Sequence, residues 1–349
     1  MAKPTILMIG NYLSQPRHNR NIWNDLSERL AGAGWGVITT SRQENKVLRL
    51  LDMLQTILFK RKQYALAQID VFSGAAFTFA RSSAWLLRLL KKPYVLTLHG
   101  GGLPVFARKH PDRIKRLLST ASAVTTPSPF LQVSLADFRN DILCIPNPVQ
   151  ISSMGYRKRA HLTPNLIWIR AFHEIYNPGL AVRMLKILSQ SMPECKLTMI
   201  GPDKGDGSFE KVLLLTHEFG LDNQIRVLPG IPSSEVPVLL DTADIFINTT
   251  NYDTFPRSLI EAMACGLCVV STNVGGIPWL VNNGQEGFLV SPDDPQVMAD
   301  AVLSLLNNPE LAERISTQAR QKAETLDWSA ILPQWEALLS SVGISGNDE

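Results

Sequence analysis

Short apolar runs alternate along the whole chain with longer stretches whose apolar residues recur at helical spacing. That rhythm predicts an α/β protein built on parallel sheets. Thr5–Ile9 reads as a strand, and Arg20 to Gly32 as a helix with Ile22, Trp23, Leu26, Leu30 and Ala31 at helical spacing. Gly34 and Gly36 break the helix before a strand at Val37–Thr40. Further strands are expected at Ile69–Phe72, Tyr94–Leu98, Ala123–Thr126 and Ile142–Ile145.

The rhythm restarts beyond a polar, turn-rich stretch, and the linker is placed there, at about residues 150–164. Strands follow at Leu166–Ile169, Lys196–Ile200, Ile225–Leu228, Ile245–Asn248, Cys268–Ser271 and Phe288–Val290. Helices are expected at Gly179–Ser189, Phe209–Phe219, near Pro256–Cys265, and at Gln296–Leu306, Pro309–Glu324 and Trp328–Ser340. Two doubly wound, Rossmann-like domains are therefore expected, 1–155 and 156–330, followed by a closing helix and a disordered tail within 331–349. A length of 349 residues suits two such domains, and no short-period repeat points to a solenoid.

Composition removes several classes. At 45% hydrophobic and 19% charged residues the chain is too apolar for a disordered protein, and 22 Gly with 22 Pro exclude collagen-like sequence. Four cysteines make no disulfide framework, so a reducing compartment, the cytoplasm, is expected. The first residues lack the long apolar stretch of a signal peptide, and no apolar run approaches the ~20 residues of a membrane span. Val71 to Leu90, the most apolar region, is interrupted by Arg81 and Arg88.

Charge is unevenly spread. Residues 1–150 hold 20 Lys and Arg against 8 Asp and Glu, and residues 151–349 hold 14 against 23, so the net +3 conceals +12 and −9. Such a split suggests that the first half meets something anionic; two solvated faces of unequal sign would look the same. The apolar stretch Val47 to Phe59 is flanked by Arg42, Lys46, Lys60, Arg61 and Lys62 and carries Arg49, and a second cluster follows at Arg108, Lys109, Arg113, Lys115 and Arg116. A basic amphipathic helix docks on anionic membranes, although a core helix with polar ends fits the first stretch equally well. No aromatic interleaving accompanies the charge, so nucleic acid is not an expected partner.

Glycines cluster where strands end, which is where doubly wound sheets bind ligands. Gly10 closes the first strand, His99-Gly100-Gly101-Gly102 follows Leu98, Gly201 follows Ile200, and Gly275-Gly276 follows the Cys268–Ser271 strand. Gly32-Ala-Gly34-Trp-Gly36 instead follows a helix, so it reads as a helix terminus and turn, not as a dinucleotide loop. No P-loop pattern occurs. Cys265-x-x-Cys268 has no second pair and falls where a helix runs into a buried strand, which favours structural cysteines over zinc.

The richest segment runs from Ala243 to Gly266. A strand ends near Asn248, a loop carries Asp253, and a helix begins near Pro256 with Glu261 one turn in. Backbone N–H groups around Thr254–Arg257 would form an anion site, and Glu261 could accept two ribose hydroxyls. An acidic loop that merely satisfies the helix dipole is the alternative.

Asp253-x7-Glu261, followed by Ala262-Met263-Ala264, Gly266, Val269-Val270 and Gly275-Gly276-Ile277-Pro278, resembles the E-x7-E signature of the family-four retaining glycosyltransferases. Ile145-Pro-Asn147-Pro-Val149, His99-Gly100 and Leu228-Pro-Gly230 resemble further motifs of that family, so the likeness runs along most of the chain. It implies the GT-B fold, with two Rossmann-like domains facing a cleft and a last helix crossing back to the first. It further implies a nucleotide-diphosphate sugar, a UDP-sugar slightly favoured, and a saccharide acceptor held by the first domain. By resemblance Glu261 binds ribose, Asp253 contacts the donor sugar, Arg170 and amides near Thr254, Phe255 and Pro256 face the diphosphate, and Gly10 and His99 line the cleft. Gly201, Lys204 and Gly230 complete the expected donor site. No cofactor or metal is expected: transfer would retain configuration by front-face attack.

Three departures stand out. Ile175 replaces the lysine that usually follows Arg170 by five residues, so Lys204, Arg257 or a base of the first domain would have to substitute. Asp253 shortens the first carboxylate, and Trp279 stands where Glu is frequent. The resulting expectation is a retaining glycosyltransferase, extending a lipid-linked saccharide in surface polysaccharide assembly at the inner face of a membrane. The alternatives are a non-catalytic sugar-nucleotide or glycan-binding protein and a nicotinamide dehydrogenase, the latter lacking its fingerprint.

Overall fold

The structure, a computed structural model, describes residues 3–10, 12 and 22–345. Arg20, the expected start of the first helix, and the tail at 346–349 lie outside the described residues. The chain divides into two units, Met1–Pro148 with Trp328–Glu349, and Val149–Asp327. The divisions thus fall earlier than residues 155 and 330, for a physical reason. The Val149 N–H donates to the Leu326 carbonyl at 2.9 Å, and the Ile151 N–H donates to the Asp327 carboxylate at 3.0 Å. Two chain segments that bond to each other in this way sit in one unit.

Unit 1 is built on β1 (Thr5–Ile9), β2 (Gly36–Thr40), β3 (Leu66–Val71), β4 (Tyr94–Leu98), β5 (Ala123–Thr126) and β6 (Leu143–Cys144). They form one sheet in the order β2-β1-β3-β4-β5-β6, and every pairing is parallel. Helices α1 (Ile22–Gly32), α2 (Lys46–Phe59), α3 (Phe77–Leu89), α4 (Leu103–Lys109), α5 (Pro111–Leu118) and α6 (Pro129–Ser134) connect them. Both faces of the sheet are covered, which explains why β3 and β4 are buried at every position.

Unit 2 repeats the plan with β7 (Asn165–Ile169), β8 (Lys196–Ile200), β9 (Ile225–Leu228), β10 (Ile245–Asn248), β11 (Cys268–Thr272) and β12 (Gly287–Val290). Its helices are α7 (Pro178–Ser191), α8 (Ser208–Glu218), α9 (Val236–Asp241), α10 (Arg257–Ala264), α11 (Ile277–Leu280), α12 (Pro295–Leu306) and α13 (Pro309–Glu324). The all-parallel order β12-β11-β10-β7-β8-β9 is that of a doubly wound nucleotide-binding sheet. One apolar cluster lies on each face, around Trp168, Leu185 and Val302 on one side and Phe246, Ile260 and Met263 on the other.

The last helix, α14 (Trp328–Ser345), belongs to unit 1. Its Trp328, Ile331, Trp335 and Leu339 are buried with Ile6, Met8, Trp23 and Leu26, closing the sheet face that α1 covers only in part. The Arg29 guanidinium stacks on the Trp328 ring at 4.6 Å, and the Trp35 indole N–H donates to Glu336 at 3.0 Å.

Candidate functional site

In a doubly wound sheet the strand order reverses at one place, and the loops leaving the two strands there diverge to open a crevice. In unit 2 that place is between β7 and β10, which pair only through Ile245–Leu166 and Phe246–Ile167 before separating. Arg170 leaves β7 and Asp253 sits in the loop leaving β10, so the topology alone brings them to one spot.

Their side chains meet there. Arg170 Nη2 donates to Asp253 Oδ2 at 2.5 Å, and the guanidinium lies over the Tyr176 ring at 5.2 Å. Asp253 Oδ1 accepts the Phe255 N–H at 3.1 Å, which turns the chain into α10. One turn along that helix, Arg257 Nε donates to Glu261 Oε1 at 2.8 Å. Burial pushes the Glu261 carboxyl above its ordinary value, while Arg257 and Arg170 both pull it back. Two arginines and two carboxylates therefore form one cluster.

The surrounding loops hold this cluster rigidly. The Asn251 N–H donates to the Ile175 carbonyl at 2.7 Å, Thr249 Oγ1 donates to the Tyr176 carbonyl, and Thr272 Oγ1 donates to the Thr250 carbonyl. A Cβ at Gly275 would overlap the Asp253 carbonyl, and the Gly276 N–H donates to that same oxygen at 2.8 Å. Gly201 meets the Arg170 carbonyl in the same way. These glycines position Asp253 and Arg170 by letting backbone approach them closely.

The donor-site residues expected from the sequence divide accordingly. Arg170, Asp253 and Glu261 come together, with Arg257 as an added member. Among the described residues no hydrogen bond or ion pair joins Lys204 or Gly230 to them: the Lys204 N–H donates to the Phe172 carbonyl, and Gly230 turns the exposed chain after β9 with φ +84°. Of the expected amides at 254–256, two are not free to bind an anion. The Phe255 N–H is taken by Asp253, and Pro256, which begins the helix turn, has no N–H to offer. No side chain caps α10, so its first-turn N–H groups, at 257–259, have no partner within the helix. Ile175 is 38% exposed, and among the described residues no lysine is hydrogen-bonded to the cluster.

Unit 1 has its own reversal point, between β1 and β3. A Cβ at Gly10 would overlap the Asp70 carboxylate, so glycine there admits the acid. Asp70 Oδ1 accepts from Gln68 Nε2 at 2.9 Å and lies 3.5 Å from His99 Nε2. The His99 ring packs edge-on against Trp23 at 4.8 Å. Burial and the nearby Asp70 push the Tyr12 hydroxyl well up. Beside this cluster a cavity of about 320 Å³ is lined by Gly10, Asp70, Arg49 and apolar Met53, Phe72 and Phe79. Sequence reasoning found Gly10 and His99 but not Asp70, Gln68 or Tyr12, whose meeting depends on strand pairing. Cys265 and Cys268 lie in the core, where burial pushes their thiols up to about 11 and about 12, as structural cysteines would be.

Comparison with known proteins shows what the chain resembles. Residues 163–322 match the family model described as glycosyl transferases group 1. The D-inositol 3-phosphate glycosyltransferase of Corynebacterium glutamicum (strain R) is 29% identical over 164 residues, 46% of this chain and 39% of that protein. A putative colanic acid biosynthesis glycosyltransferase, WcaL, of Salmonella typhimurium is 39% identical over 149 residues, 40% of this chain and 36% of the relative. The matches thus span roughly two-fifths of the length of these relatives. Among solved structures, Anabaena Alr3699/HepE in complex with UDP and glucose is similar with a TM-score of 0.77, at 17% identity over 97% of this chain and 100% of that one. That likeness shows the fold, which is that of the GT-B glycosyltransferases. Residues 163–322, a little under half of the chain, thus resemble the group 1 glycosyl transferases, and the fold is shared with the GT-B structures.

Proposed function

We propose that the protein is a retaining, metal-independent glycosyltransferase that moves a sugar from a nucleotide diphosphate to an acceptor hydroxyl. The observation that carries this reading is the Arg170–Asp253 and Arg257–Glu261 cluster at the reversal point of the unit 2 sheet. Glu261 would accept the ribose hydroxyls, and Asp253 the hydroxyls of the donor sugar. As the glycosidic bond breaks, negative charge grows on the leaving diphosphate. Arg170 and the first-turn amides of α10 would stabilise it there, without a protein nucleophile. The HepE neighbour, crystallised with UDP and glucose, favours a UDP-sugar.

Unit 1 would hold the acceptor, in the cavity beside Gly10 and Asp70. The colanic acid relative supports a saccharide acceptor of surface polysaccharide synthesis, and the basic amphipathic α2 supports one linked to lipid at the cytoplasmic face of a membrane. No helix among the described residues is long and apolar enough to cross that membrane. Ile175 favours a second reading, a binding protein for nucleotide sugars or glycans without turnover, because it removes a cation from the diphosphate site.

Thermal unfolding with UDP-, GDP- and ADP-sugars, comparing wild type with Glu261→Ala, tests the donor. A ligand at 100 times its dissociation constant adds about 2.7 kcal/mol of stability. A shift with one base, lost in Glu261→Ala, is the expected result; no shift with any base would remove the donor reading. Turnover of the bound donor, lost in Asp253→Ala and Arg170→Ala, separates transfer from binding.

A further inference from the structure

The cluster in unit 2 is nearly neutral as it stands: two guanidinium groups face two carboxylates. A nucleoside diphosphate would bring at least two further negative charges, so at least one arginine must give up its carboxylate or share it. The two pairs are not equally able to do so. Arg170 is 14% exposed, bonded to Asp253 and stacked on Tyr176. Arg257 is 39% exposed, stands on the first residue of α10, and donates from Nε to Glu261 one turn along. Its carboxylate partner is the residue whose oxygens the ribose would claim.

Two orphaned atoms point the same way. Arg170 Nε and Ser258 Oγ are buried and have no hydrogen-bond partner among the described residues. Buried donors of this kind are costly unless something completes them. Arg170 follows β7, and Ser258 is the neighbour of Arg257 in the first turn of α10.

We propose that Arg257 is the second cationic contact of the donor diphosphate: on donor binding it leaves Glu261, which turns to the ribose, and closes on the phosphate beside Arg170. The exchange moves no covalent bond. It assigns to the first turn of α10 the charge that Ile175 does not provide, and it rests on the reading of unit 2 as the donor site. Lys204 is the weaker substitute, because its backbone is tied to Phe172 and no contact brings it to the cluster.

Titration calorimetry of the full chain with UDP, GDP and ADP, and with the matching nucleosides, tests this. Arg257→Gln and Arg257→Ala should weaken the diphosphate that binds by about tenfold, the cost of one charge-assisted contact, and leave its nucleoside within about twofold. Adding Ile175→Lys to Arg257→Gln should restore most of the loss, because the Ile175 carbonyl is bonded to Asn251 in the loop that carries Asp253. Unchanged diphosphate affinity in both single variants overturns the proposal. Equal losses for diphosphate and nucleoside also overturn it, since Arg257 would then serve only to hold Glu261. If the wild type binds none of the three diphosphates, the donor reading fails and the proposal with it.

Discussion

Glu261 must carry its charge in a place that resists it. Burial raises its carboxyl pKa and outweighs the opposing pull of Arg257 and Arg170. In the unfolded chain the same group titrates at its ordinary value. Between the two values the native protein holds more protons than the unfolded one, so stability falls as pH rises through that window. The favourable contribution is complete below the ordinary carboxylate range and is gone above the raised native value. Glu261→Gln removes the titration. The melting temperature of Glu261→Gln minus that of wild type is therefore expected to grow more positive from the acid side towards neutrality, in the absence of ligand. A difference that is flat or falls across that series would mean that the arginines outweigh burial. At this scale the spacing of Asp253 and Glu261 was legible in the sequence, as was the Arg257-to-Glu261 spacing of one helical turn, though nothing there singled it out. Arg170 reaches Asp253 across 83 residues, and only strand order brings them together. The glycines were legible as strand-end loops but not for their reason, because a missing Cβ at Gly201 or Gly10 matters only against a neighbour remote in the chain.

Among the elements, α2 presents the clearest unbalanced surface. Asn45 caps its first turn by accepting from Val47 and Leu48 N–H groups, and Met53 and Ile57 face the core. The opposite side exposes Val47, Leu48, Leu51 and Phe59, with Lys46 and Lys60 at the two ends of the helix, while half-buried Arg49 lines the cavity with Met53. A helix that keeps apolar side chains in water beside cations fits the surface of an anionic bilayer. Burying a large apolar side chain is worth about 1.5–3 kcal/mol, or roughly tenfold or more in partitioning. Sedimentation with phosphatidylglycerol vesicles is therefore expected for wild type and to fall by more than tenfold in Leu51→Ser/Phe59→Ser, whose fold depends on neither exposed residue. Equal sedimentation of the two proteins would remove α2 from the membrane reading. Most of the long helices and strands were legible because their apolar period is sustained, although α3, inside the most apolar stretch, was not. Helices α4, α6, α9 and α11, with four to seven residues each, are too short to show a period and went unread. Strand β6 shrinks to Leu143–Cys144 because the chain leaves the sheet edge after two paired residues.

At the scale of the whole molecule, the repeated strand rhythm made two parallel sheets legible, while the way the chain is shared between units was not. The expected linker is not loose: Arg159, fully buried, donates to the carbonyls of Cys265 and Ala243 and lies 3.4 Å from Asp244. A polar stretch looks like a linker by composition even when its arginine is buried on carbonyls 84 and 106 residues away and beside the Asp244 carboxylate. Helix α14 presents the converse case, since its sequence distance from β1 hides that it completes the unit 1 core. Trp335 is 4% exposed and meets the Trp23 ring edge-on at 6.1 Å, and Trp23 in turn supports His99. Trp335→Ala opens a cavity in that face, which costs about 3–5 kcal/mol in comparable cores. Calorimetric unfolding should show this as a loss confined to unit 1. A bound nucleotide raises only the unfolding temperature of the unit that holds it. The transition that Trp335→Ala lowers is therefore expected to be the one that the nucleotide leaves in place, while the nucleotide-shifted transition keeps its wild-type temperature in the variant. A variant that lowers the nucleotide-shifted transition instead would place α14, or the donor site, in the other core.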